Sequence, residues 1–115
     1  DQSPKNDGMW LSAILHEPKS GRTMEVWSNQ AGIQFYTGNF LDGVPGKDGA
    51  VYAKNGALCL ETQAFPDSIN KQGKPSWTNV ILKPGATYTH KMIFRFSANI
   101  SPNSGAGTGA SNKPK

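Results

Sequence analysis

Short apolar runs separated by turn-forming residues constrain this chain more than any other feature. The runs are Trp10 to His16, Arg22 to Ser28, Gly32 to Thr37, Ala50 to Ala53, Ala57 to Gln63, Asn79 to Leu82 and Thr87 to Ser97. None sustains a 3.6-residue period, and several alternate apolar with polar, the period of a strand with one face buried. The last run is the cleanest, with Met92, Phe94 and Phe96 on one side and Lys91, Ile93 and Arg95 on the other. Its apolar side is expected to enter a core. The separators carry turn chemistry. Glu17-Pro18-Lys19-Ser20-Gly21 reads as a hairpin loop, and Lys83-Pro84-Gly85-Ala86 as a tight turn in which Pro presets φ and Gly accepts a positive one. With 13 Gly and 8 Pro in 115 residues, the expectation is an all-β, antiparallel β-sandwich portion with almost no helix.

Residues 1–8 form a polar lead-in, and residues 99–115 a Gly/Ser/Asn/Pro tail; both are expected to be loose. The segment between them, 9–98, is the size of one modest domain or a piece of a larger one. Twelve Lys and Arg against eight Asp and Glu give a formal charge of +4. The basic residues are scattered singly, whereas a phosphate backbone is gripped by charges gathered on one face, so no nucleic-acid partner is expected. No apolar run approaches the roughly 20 residues that span a bilayer, and no membrane association is expected. A single cysteine, Cys59, rules out an internal disulfide and points to a reducing, cytoplasmic setting.

Two strands could carry chemistry. In Leu58-Cys59-Leu60-Glu61-Thr62-Gln63, alternation places Leu58 and Leu60 on one side and Cys59, Glu61 and Gln63 on the other. A carboxylate is disfavoured in mid-strand; Glu61 is either a half-exposed sheet position or a functional group. In Gly32-Ile33-Gln34-Phe35-Tyr36, the Gln34 amide and Tyr36 phenol share a side. That combination suits a sugar, since an amide both donates to and accepts from hydroxyls while an aromatic ring covers a C–H face; a polar sheet surface is the plainer reading. His16, His90 and Cys59 lack the spacing of a zinc set, so no metal site is expected. Each His is expected to be structural or exposed, Cys59 to be a small buried filler, and Trp10, Trp27 and Trp77 to pack in the core. No Ser-His-Asp set or phosphate loop can be assembled.

The stretches Gly32-Ile33-Gln34-Phe35-Tyr36-Thr37-Gly38-Asn39-Phe40 and Leu58-Cys59-Leu60-Glu61-Thr62-Gln63-Ala64-Phe65-Pro66-Asp67-Ser68 resemble two signature segments of the aldose 1-epimerase (galactose mutarotase) family. Pro18 to Arg22, Met24 to Trp27, Leu82 to Gly85 and Phe94-Arg95-Phe96 add matches in the same order. The resemblance runs from about Trp10 to Ala98 and implies the C-terminal portion of a larger antiparallel β-sandwich, with the sugar bound in an open cleft on one sheet.

The resemblance further implies that Glu61 is the general base and that Gln34, with Tyr36 beside it, contacts a hexose such as galactose or glucose, with no metal or organic cofactor. The family's acid histidine, a second sugar-binding histidine, an arginine and an aspartate belong to its upstream part, and neither His16 nor His90 matches them. The expectation is therefore an isomerase segment that interconverts α and β anomers only with an upstream chain or segment supplying those groups. The alternatives left open are a non-catalytic carbohydrate-binding module and one half of a split enzyme.

Overall fold

The computed structural model describes residues 5–98, and the tail expected over 99–115 lies outside them. Eight strands form three antiparallel sheets, with only two short 3₁₀ turns, Lys47–Gly49 and Ser68–Lys71, so the described chain is all-β. The four-stranded sheet has the order β1 (Lys5–Asn6), β2 (Met9–Glu17), β3 (Arg22–Ser28), β8 (Met92–Ala98). Two hairpins complete the set: β4 (Gly32–Tyr36) with β7 (Cys59–Gln63), and β5 (Val44–Pro45) with β6 (Val51–Tyr52). Lys5 and Asn6, within the polar lead-in, are ordered by pairing with Trp10 and Met9.

Register determines the faces. Val26 lies between Ala13 of β2 and Phe94 of β8, and Met24 between Leu15 and Phe96, so one face is a continuous apolar row. A bulge between Leu11 and Ala13 keeps this side of β2 in phase with β3. Trp27 emerges on the opposite face and is covered by its own neighbours: its indole Nε1–H donates to Glu25 Oε2 at 2.7 Å, and the Arg95 guanidinium sits 4.8 Å from its ring centroid. Buried hydrophobic side chains are confined to Met9, Val26 and Trp27 among the described residues.

Three expectations are corrected here. The Met92, Phe94 and Phe96 side of β8 does not enter a core: these residues are 43%, 43% and 76% exposed, although Val26 beside Phe94 is fully buried and Met92 Sδ lies 3.4 Å from Thr62 Oγ1 of β7. Full burial of one such side chain is worth roughly 1.5–3 kcal/mol, and at these exposures about half of that is forgone for each. Asn79 to Leu82 forms no strand, Ile81 N–H instead donating to Asn79 Oδ1 at 2.9 Å, and the strand expected over Thr87 to Ser97 begins only at Met92. Of the three tryptophans only Trp27 is buried; Trp10 and Trp77 are half-buried.

The turns are as their residues require. Gly21 and Gly85 have φ of 67° and 79°, and Ala86 N–H donates to Lys83 O at 3.0 Å across the second turn. In the β2–β3 loop the Glu17 carboxylate accepts from the N–H groups of Lys19 at 2.9 Å and Ser20 at 2.7 Å. No helix among the described residues is long and apolar enough to cross a membrane.

Two tests follow from the turns. Hydrogen bonding from the Ser20 side chain, then from the Lys19 and Ser20 backbone, holds the Glu17 carboxyl below its ordinary 4.5. A carboxyl depressed in the folded state adds stability that is present above the unfolded value and is lost as pH falls through the folded one. The Lys19 and Ser20 amides should therefore exchange with solvent faster as pH drops from about 5 toward 3, after correction for intrinsic rates, and Glu17→Gln should abolish that dependence. Gly38 is buried at φ 70°, and an added Cβ would meet Ala57 O at 3.0 Å. Gly38→Ala should cost at least about 1–2 kcal/mol in urea unfolding, since backbone, not a pliant side chain, stands in the way.

Candidate functional site

The β4–β7 hairpin brings the two sequence candidates together. Gln34 and Glu61 are direct partners across the ladder, flanked on the same face by Tyr36 opposite Cys59 and by Gly32 opposite Gln63. Ile33 opposite Thr62 and Phe35 opposite Leu60 occupy the other face. Each strand alone shows only that its polar residues share a side; the register makes those sides one surface. Glu61 and Gln34 are both exposed, and the Glu61 carboxylate has no hydrogen-bond or ionic partner among the described residues. Gln34 lies along its own strand, its Nε2–H donating to Phe35 O at 3.2 Å.

Tyr36 is less free than the amide. Its hydroxyl accepts from Phe40 N–H at 3.0 Å, and its ring stacks on that of Phe40 with centroids 6.3 Å apart and planes 19° apart. The phenolic hydrogen is left to donate elsewhere, but the ring is held. The turn beyond it is ordered by Asn55, whose Nδ2 donates to Thr37 O at 2.8 Å and Asn39 Oδ1 at 2.9 Å. Asn55 has φ 58° and its N–H, like that of Leu41, donates to Gly38 O at 3.1 Å. Asn55-Gly56 is a turn signal in the sequence, and it could have located this brace.

Cys59 corrects an expectation. It is exposed, not a buried filler, because alternation puts it on the exposed Glu61 side of β7. The two histidines are structural, each beside a threonine: His16 Nδ1 is 2.8 Å from Thr23 Oγ1, and His90 Nε2 is 2.8 Å from Thr62 Oγ1. Thr62 leaves β7 on the face opposite Glu61, so His90 stands on the wrong side of the strand to be its acid partner. The described residues contain no cluster of three or more His, Cys, Asp or Glu able to hold a metal ion.

Beyond β7 the chain turns back beneath Gly32. Phe65 packs against it, so that a Cβ at Gly32 would lie 3.0 Å from the ring, and Trp77 closes edge-on to Phe65 with centroids 5.8 Å apart. Ser68 Oγ donates to Phe65 O at 2.6 Å, and Lys71 pairs with Asp67 at 3.2 Å. Clefts of about 400 and 480 Å³ flank Gln30, and neither is lined by Glu61 or Gln34. Among the described residues the Gln34–Glu61 surface is an open strand face, whereas small-molecule sites are concave.

Residues 1–95 match the sequence model of the aldose 1-epimerase family. The chain is similar to galactose mutarotase of Homo sapiens (51% identity over 86 residues) and of Mus musculus (54% over 86 residues), each match covering 74% of this chain and 24% of the relative. It is also similar to an aldose 1-epimerase of Haemophilus influenzae, 39% identical over 85 residues, or 72% of this chain and 24% of the relative. The chain thus spans about a quarter of the length of these relatives. The signature stretches around Gln34 and Glu61 lie within the matched segment, and the chain belongs to the aldose 1-epimerase family.

Proposed function

We propose that the Gln34–Glu61 face is the base-bearing wall of a hexose mutarotation site. The observation that carries this reading is the direct pairing of Gln34 with Glu61 on one exposed face of a family member. Glu61 takes the proton of the anomeric hydroxyl while an acid protonates the ring oxygen, and the C1–O5 bond breaks to give the open-chain aldehyde. Rotation about C1–C2 and reclosure give the other anomer, with proton transfers reversed. Gln34 donates to and accepts from sugar hydroxyls, and the Tyr36 ring lies beside it to cover a C–H face. Galactose and glucose are the substrates this reading names.

The acid comes from outside this segment. His90 is on the far side of β7, His16 is engaged at the β2–β3 hairpin, and no other histidine occurs in the chain. The remaining wall, with the acid and further sugar ligands, is supplied by an upstream segment or chain of the family's domain. A base alone forfeits both the proton donor and the positioning that turns binding into rate. The open face, with Glu61 unpartnered among the described residues, also favours a second reading in which this segment binds hexose without turnover.

Polarimetry of freshly dissolved α-galactose and α-glucose separates these readings. The 115-residue chain alone should leave the decay of optical rotation at the buffer rate, and acceleration by the purified chain would show that the acid lies within it. Mixed with the upstream portion of the domain, it should accelerate the decay, and Glu61→Gln in that mixture should lower the rate roughly 10²- to 10⁴-fold without loss of the β4–β7 hairpin. Unchanged turnover would remove Glu61 as the base; saturable hexose binding with no acceleration in the mixture would establish the binding-module reading.

A further inference from the structure

The β4–β7 hairpin shares no ladder with the four-stranded sheet, and a two-stranded hairpin is marginal by itself. Something must set its height and rotation, because these aim Glu61. Residues 88–91, which lead into β8, are held as a strap against the end of β3. Ser28 Oγ donates to Lys91 O at 3.0 Å, Asn29 Nδ2 donates to Thr89 O at 2.9 Å, and Asn29 Oδ1 accepts from Lys91 N–H at 3.0 Å. Tyr88 Oη donates to Gln30 Oε1 at 3.2 Å, and its ring meets that of His90 edge-on with centroids 6.4 Å apart.

From this strap His90 reaches β7. Its Nε2 lies 2.8 Å from Thr62 Oγ1, which is also 3.4 Å from Met92 Sδ. Thr62 is buried, adjoins Glu61 in the chain and points to the opposite face. The same strap thus grips the approach to β4, through Asn29 and Gln30, and the middle of β7, through Thr62.

We propose that His90 is a positioning residue for Glu61, acting through Thr62 to fix the rotation of β7. The proposal rests on reading Glu61 as the base, but the tie itself is geometric and does not require turnover. Misplacement of a catalytic group by about 1 Å can cost on the order of 100-fold in rate, so a bond that locks a marginal hairpin has a catalytic consequence.

The test uses amide hydrogen exchange of β7 and the side-chain carboxyl ¹³C resonance of Glu61 in the 115-residue chain. His90→Ala should speed β7 exchange about five- to tenfold, the effect of one lost hydrogen bond, and move the Glu61 resonance. His90→Gln, whose terminal amide reaches about as far as Nε2, should restore both, whereas the shorter His90→Asn should not. Thr62→Val should reproduce His90→Ala, and the double variant should be no worse than either single one. Equal behaviour of the Gln and Asn variants, additive single effects, an unmoved Glu61 resonance, or an unprotected β7 in the unaltered chain would each overturn the proposal. A silent Glu61→Gln in the turnover assay would remove the catalytic reading while leaving these exchange results in place, so the two failures are distinguishable.

Discussion

The grip of Ser28 and Asn29 on Thr89 and Lys91 is the interaction on which the rest depends. It joins residues 60 to 63 positions apart, and closing a loop of that length costs about 3–4 kcal/mol on a logarithmic scale before any contact is made. The side-chain bonds at this junction are each worth about 0.5–1.5 kcal/mol net, and they start the seven-residue β3–β8 ladder that follows. They fix the start of β8 beside the end of β3, at the point where the chain leaves for β4. The site is therefore suspended inside a long loop whose closure lies outside it.

The parts of this arrangement that were legible in the sequence are the local ones. Gly21 and Pro84-Gly85 announce their turns because backbone conformation there depends on single residues, and the alternation of β3, β4 and β7 states which side chains share a side. The family resemblance joined Glu61 and Gln34 as partners in one function, but their adjacency is a matter of register between strands far apart in sequence, which neither strand encodes alone. Val80, Ile81 and Leu82 show the converse: apolar residues make a strand only where a neighbour offers unpaired N–H and C=O groups, and none among the described residues does so here.

Cys59 and the Phe94–Phe96 row share another reason for being misread. Alternation tells which face a residue occupies, but not whether anything covers that face. Residue type suggests a buried Cys59 and hydrophobicity a buried Phe94 and Phe96, whereas Cys59 is exposed and the two rings are 43% and 76% exposed. His90 was legible as a structural histidine, while its bond to Thr62, 28 residues away, was not.

A strand separates two tasks with a rigour that a loop cannot match. On β7 the Glu61 side is exposed, and the Thr62 side is buried against His90 and Met92; with a period of two residues, neither can rotate without the other. Here the carboxylate has no partner among the described residues, while its neighbour bears the constraint. Rigidity is thus delivered from behind the strand.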